Sequence, residues 1–267
     1  MTAVGSALVI TAPGINCEAE LAEAFALAGA APELVTLQAL RRDPSRIDRF
    51  RWIGLPGGFS YGDDIAAGRV MAALVRRDLH GALAAAVARG VPVIAPCNGF
   101  QIAVQCGLLP GPDEGVPWPA VASPPTIALR SNRSARFEDR WTTVEYPTES
   151  RCIWTRGLSS DGPAAVLPSA HGEGRFTTDE GTLASLEAGG RIAVRYGSGE
   201  NFNGSIGSVA GICDASGLVL GLMPHPERFL HWNRHPRFTR LDEAQMQGPP
   251  PGLAMFQNAV AHVAACV

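Results

Sequence analysis

Apolar and polar positions fall in two kinds of block along this chain. Residues 7–11, ALVIT, are an unbroken apolar run too short for a helix and read as a buried strand. EAELAEAFALAGA follows, with apolar Leu21, Phe25, Leu27 and Ala28 at helical spacing and Gly29 as a stop. PELVTL is a second strand, and RWIGLPGG a third that ends in Gly57 and Gly58. Residues 68–90 carry a helical pattern, and VPVIAP is a fourth strand running into helical material that starts near Asn98. Short apolar runs alternating with helix-length segments predict parallel strands joined by helical crossovers, an α/β fold.

Beyond CGLLPG the rhythm changes. The Pro-rich stretch 110–125 predicts a loop, and strand-like runs follow at 126–130, 141–145 and 164–167. RIAVRYG, VAGICD and LVLGLM predict further strands, the last leading into PHPER. Residues 233–252 are irregular, and GLAMFQNAVAHVAACV reads as a closing helix. There is no internal repeat and no composition shift that marks a boundary, so one domain over residues 1–267 is expected.

Composition narrows the function. At 267 residues and 46% hydrophobic, the chain can bury a substantial core. Its 22 basic and 25 acidic residues give a net charge of −3 without long runs of one sign, which argues against nucleic-acid and anionic-membrane surfaces. The apolar stretch near the start has no basic region before it, and no segment approaches the ~18 apolar residues that cross a bilayer. Six cysteines, at 17, 97, 106, 152, 213 and 266, show no CxxC pairing, which favours reduced thiols in a cytoplasm over disulfides or zinc. All 22 basic residues are arginine. Without lysine there is neither a P-loop nor Schiff-base chemistry, so an ATP-driven step is assigned to another chain.

Ligands of open parallel sheets sit beyond the carboxyl ends of the strands, and three such ends carry LPGGFSYGDD, APCNGFQ and LMPHPER. Cys97 stands where a strand turns into a helix, a position where the helix N-terminus favours a sulfur anion, and Gly99 gives room for a tight turn. The plain alternative is a packed sulfur at an ordinary turn. His225 and Glu227 flank Pro226, which favours an extended residue before it and side chains two apart on one side. Glu227 would then orient an imidazole facing a nucleophile; the alternative is a His-Pro turn with a solvated carboxylate. The double glycine at 57–58 suits close backbone approach and an oxyanion, or simply ends a strand. His171 and Glu173 lie in a glycine-rich stretch that is read equally as surface turn or pocket lining. His231 and His235 stand four apart, but Pro236 argues against a helical metal face, and no metal is expected. Cys17, at the end of the first strand, could line the same crevice, with packing the favoured reading.

Taken together and in order, LPGGFSYGDD, CNGFQ, GLLPG, AHGEGRF, NGS with VAGICD, and GLMPHPER resemble the glutaminase component of phosphoribosylformylglycinamidine synthase, within the class I (triad) glutamine amidotransferases. The likeness runs from residue 8 to about 260. It implies a flavodoxin-like three-layer sandwich with a mostly parallel central sheet and antiparallel additions. It also implies Cys97 as nucleophile, His225 as acid and base, and Glu227 as its orienting partner. The backbone N–H groups of Gly58 and Asn98 would form the oxyanion hole, with Gln101 and Gly57 on the glutamine and His171 as possible pocket lining. The implied partners are L-glutamine and a synthetase subunit that uses ATP and Mg, with or without a small bridging subunit; no cofactor is expected in this chain. Two features depart from the family pattern: Ala95 and Pro96 precede the cysteine, and RSNRSARFEDRW is closer to the glutaminase domain of the fused synthetase. A triad glutaminase serving another acceptor, or an inactive docking subunit of the same fold, are the competing readings.

Overall fold

The computed structural model describes residues 4–265, so Cys266 lies outside the described residues. The first half of the chain alternates as its apolar blocks predict. Strand β1 (Ser6–Thr11) leads to helix α1 (Glu18–Leu27), β2 (Ala31–Thr36), the short helix α2 (Leu37–Arg42) and β3 (Trp52–Gly54). Helices α3 (Arg69–Asp78) and α4 (His80–Ala88) lead to β4 (Val93–Pro96) and α5 (Asn98–Gln105). The second half contributes β5 (Ala128–Ser131), β6 (Glu138–Glu145), β7 (Val166–His171), β8 (Glu173–Thr177), α6 (Glu180–Ala188), β9 (Ile192–Tyr196), β10 (Val209–Cys213), β11 (Val219–Leu222) and α7 (Pro251–Ala265).

Nine strands form one mixed sheet in the order β2-β1-β3-β4-β11-β10-β9-β6-β7. The run from β2 to β11 is parallel and the strands beyond it pair antiparallel, so the sheet combines a parallel body with antiparallel additions. Helices cover both faces. Gly54 faces α1, where an added Cβ would meet Leu21 and Phe25, while Gly221 faces α5, where it would meet Phe100. Gly54 pairs with Ile94 and Gly221 with Ala95, consecutive residues of β4 that point to opposite faces. On the α1 face, Phe25 meets Phe256 of α7 edge to face at 5.2 Å, and the Trp52 indole donates to the Ala259 carbonyl. The central strands are buried on both sides, which is why they read as continuous apolar runs rather than as alternation.

Three local readings change, and one helix is added where the sequence was given no reading. PELVTL gives up Leu37 to α2, because the Thr36 hydroxyl accepts from the Ala39 N–H and caps a helix there. The helix after β1 stops at Leu27, and Leu27 is 43% exposed rather than part of the buried face, which uses Leu21, Ala24 and Phe25. The glycine-rich stretch after His171 is strand β8, stabilised by pairing with β5 rather than by its own β-propensity. Residues 180–188 form α6, capped by Asp179, which accepts from the Thr182 N–H. The 110–125 stretch has neither helix nor strand, and 233–250 holds only short 3-10 turns. Among the described residues no helix is long and apolar enough to cross a membrane.

Candidate active site

Cys97 links β4 to α5 with φ 50° and ψ −108°, a conformation that residues with a Cβ rarely adopt. Its N–H donates to the Leu222 carbonyl at 2.7 Å, while its own carbonyl accepts from Phe100 and Gln101. Gly99 makes this turn sterically possible: a Cβ there would lie 1.9 Å from the Leu55 carbonyl oxygen. Pro96, which has no N–H, costs the sheet nothing at this point. The amides of Val93 and Cys97 face β11, so by alternation position 96 faces β3, which has already ended at Gly54. The thiol is 6% exposed, donates to the Ala170 carbonyl at 3.6 Å, and opens on a cavity of about 410 Å³.

His225 enters the same cavity from the end of β11. Its Nδ1 lies 2.6 Å from Glu227 Oε1, and its backbone N–H is anchored on the Pro168 carbonyl. Pro226 does not continue an extended chain, as the sequence suggested, but starts a 3-10 turn over Pro226–Arg228 that swings the carboxylate back to the imidazole. Glu227 is fully buried and its Oε2 has no partner, so the carboxylate's charge is balanced chiefly by the ring it holds. Burial alone would depress the His225 pKa, but the charges of Glu227 and Cys97 beside it raise it well above the ordinary histidine value. The protonated imidazole is thus favoured beside the Cys97 sulfur.

The double glycine lies on the other side. Gly58 has φ +143°, and its Cβ position is filled by the backbone of Gly14, Ile15 and Asn16, so only glycine fits. Phe59 N–H donates to the Gly14 carbonyl, while the N–H groups of Gly58 and Asn98 are used by no backbone bond of this turn. The Asn98 side chain braces the two segments: its oxygen accepts from the Ser60 N–H at 3.3 Å and its amide donates to Gln101 Oε1 at 2.8 Å. Gln101 in turn donates to the Glu173 carbonyl and lines the cavity, with most of its amide engaged by protein. Gly57, expected against glutamine, is buried beneath the imidazole, where a Cβ would lie 2.8 Å from His225 Cε1.

Cavity residues outside the assigned site include Cys17, for which the sequence favours packing over lining, and Arg228 and Asp63, to which it gives no role. Cys17 is a wall of this cavity beside His225, with the Arg228 guanidinium donating to its Sγ at 3.1 Å. The two segments are 211 positions apart, so no local pattern joins them, although their common place at a strand's carboxyl end was a usable hint. Asp63, with φ 53°, accepts from the Gly68 N–H and adds a carboxylate to the wall. Its pKa is raised, first by burial and then by the charge of Glu173. Among the described residues the one grouping of metal-ligand type is Cys17, His225 and Glu227. A guanidinium on the sulfur and a carboxylate on the imidazole already occupy these donors. His231 is exposed and His235 is bonded to the Pro163 carbonyl.

His171 lines the cavity at the end of β7, buried, with Nδ1 3.0 Å from Asn132 Oδ1 and its ring stacked on Phe202. Burial, and secondly the charge of His225, lower its pKa from 6.5 to about 3. Between those values the unfolded chain binds a proton that the native chain refuses. The contribution of neutral His171 to stability is therefore complete above the unfolded pKa and is lost as pH falls toward the folded one. His171→Asn should flatten the fall of stability across that interval by on the order of a few kcal/mol. Urea unfolding at a series of acid pH values measures it, and parallel curves for the two proteins would assign the titration elsewhere.

With this geometry in hand, comparison with known proteins is decisive. Residues 5–263 match the family model of the CobB/CobQ-like glutamine amidotransferase domain. The chain belongs to that family. Phosphoribosylformylglycinamidine synthase subunit PurQ of Dehalococcoides mccartyi is 37% identical over 95% of each chain. The PurQ subunit of Treponema denticola is 40% identical over 83% of this chain and 87% of its own. Among solved structures, PurLQS from Thermotoga maritima superposes with a TM-score of 0.70 at 28% identity, covering 98% of this chain and 99% of that one. A putative GMP synthase subunit from Thermoplasma acidophilum, 12% identical with a TM-score of 0.55, shares the fold. These two curated relatives are PurQ subunits, matched over 95% and 83% of this chain.

Proposed function

We propose that the chain is the glutaminase subunit of phosphoribosylformylglycinamidine synthase, hydrolysing L-glutamine through Cys97, His225 and Glu227 and passing the ammonia to a synthetase subunit. The observation that carries the mechanism is the buried Glu227–His225 pair, 2.6 Å apart, in the cavity onto which Cys97 opens. The Cys97 thiolate attacks the carbon of the glutamine side-chain amide. Negative charge that develops on the amide oxygen is met by the N–H groups of Gly58 and Asn98, each such donor being worth on the order of 10²-fold or more in rate. Imidazolium at His225 gives its proton to the departing ammonia, leaving a glutamyl thioester on Cys97. The neutral imidazole then takes a proton from water, whose oxygen displaces the sulfur and releases glutamate. Asp63 suits the substrate's α-ammonium, and Gln101 positions the wall through Asn98 and Glu173.

The PurQ relatives and the PurLQS match support the partnership with a synthetase, which converts formylglycinamide ribonucleotide to formylglycinamidine ribonucleotide with ATP and Mg; a small bridging subunit belongs to the same proposal. The amidotransferase chain itself is assigned no cofactor. A nucleophile that must remain a free thiol suits a cytoplasmic setting. Phe59 and Phe137, 46% and 53% exposed with ring centroids 6.2 Å apart at the cavity mouth, suit the docking of that partner. Ammonia release from glutamine is therefore expected to be slow for the lone chain and to rise when the synthetase is added with ATP and formylglycinamide ribonucleotide. Full activity alone, unchanged by the partner, would reject a gated subunit and leave a plain glutaminase.

A further inference from the structure

A second cavity, about 620 Å³, lies behind the glutamine pocket, separated from it by the shared wall of Ala67, Gln101 and Glu173. Its character is different. Arg69, at the start of α3, and Arg130 and Arg175, on β5 and β8, all line it, and none of the three is in an ion pair among the described residues. Arg76 also lines it but is committed to the carbonyls of Gln105 and Ala122. The one acidic lining residue is Glu173, which accepts from the Ala67 N–H.

Two details set this cavity apart from an ordinary basic surface. Arg130 and Arg175 stand directly opposite each other in the β5–β8 register, so two like charges project from the same face of a two-stranded sheet. Like charges so placed repel and destabilise the pair unless an anion lies between them. In addition, the Arg175 Nε is buried without a hydrogen-bond partner, a donor desolvated and unused at the cavity wall. Guanidinium groups present planar pairs of N–H donors that match phosphate oxygens, and the volume is that of a small-molecule site.

We propose that this cavity is an anion site for a small phosphate-bearing ligand, held by Arg69, Arg130 and Arg175. The ligand relieves the Arg130–Arg175 repulsion and accepts from the guanidinium N–H groups that face the cavity, the Arg175 side chain turning to bring its unpartnered Nε to an acceptor. Since Gln101 and Glu173 belong to both walls, an occupant here bears on the glutamine pocket without entering it. The site is independent of the glutaminase reading, because none of its arginines is in the triad or the oxyanion turn.

The test is thermal unfolding of the full chain in inorganic phosphate and in pyrophosphate, against chloride at equal ionic strength. Both phosphates should raise Tm saturably, pyrophosphate at lower concentration. Arg130→Gln, Arg175→Gln and Arg69→Gln should each weaken that binding roughly tenfold or more. Without anion, Arg175→Gln should unfold no earlier than the unaltered chain, since it removes a like-charge neighbour. An equal shift in chloride, or a saturable shift that survives in all three variants, overturns the proposal. So does the absence of any phosphate shift; loss of synthetase binding in the variants would then assign the arginines to an acidic protein surface.

Discussion

Cys97→Ser is expected to abolish ammonia release from glutamine, by on the order of 10⁴-fold or more, while leaving unfolding by urea nearly unchanged. Serine fits the same left-handed turn and carries the same strain, so the fold has little reason to change. The chemistry has every reason to change. A hydroxyl needs a neutral base to take its proton, whereas His225, raised by Glu227 and Cys97 against the opposing effect of burial, already holds one. A glutamine-mimicking electrophile should label Cys97 in the unaltered chain, and excess glutamine should protect it. Cys17 is the informative control because it shares the cavity, while Cys106 is sealed in the core with its pKa pushed up by burial to about 12. Equal labelling of Cys106 or Cys152, or labelling indifferent to glutamine, would remove Cys97 from the nucleophile's role.

His225→Ala and Glu227→Ala should damage turnover unequally. The first removes both the proton donor for ammonia and the base for the second half-reaction, a loss on the order of 10³-fold or more. The second removes the carboxylate that orients the ring and raises its pKa, and water can fill part of that space. Its signature is a pH-rate profile shifted toward acid along with a smaller loss of kcat, because the imidazolium loses its largest source of support. Turnover is measured in the complex with the synthetase, where glutamine hydrolysis is competent. A fully active His225→Ala protein would take histidine out of the mechanism, and an unshifted profile in Glu227→Ala would limit Glu227 to packing.

Each of the two predictions rests on a segment whose local parts are close in sequence, which is why the cysteine turn and the His-Pro-Glu turn stood out as candidates. That Cys97 meets His225 was implied only by the family resemblance. Strand β4, Cys97 and helix α5 are consecutive, and Gly99 is two positions from the sulfur. Glu227 reaches His225 within one turn, even though the turn is 3-10 rather than extended. Strand β8 was hidden for the opposite reason. Gly172 and Gly174 carry no β-propensity, and the segment is a strand because β5, over forty positions earlier, pairs with it. Gly174 is required there by the His171 ring, whose Cε1 would lie 2.2 Å from an added Cβ.

The pattern of apolar runs and helical periods was enough to establish an α/β chain with strand ends carrying a cysteine, a double glycine and a His-Pro-Glu turn, since burial and periodicity act over a few residues at a time. Which strand ends meet is decided by the sheet order, in which β1, β3, β4 and β11 lie side by side although drawn from both ends of the chain. That order places Cys17 beside His225 and Arg228, ties the Gly58 turn to Asn98, and closes the wall of Gln101 and Glu173. It also leaves Arg69, Arg130 and Arg175 around one cavity. None of these juxtapositions has a local cause: each exists only because the helices and strands must share one buried sheet, and the loops at its carboxyl edge are brought together as a result.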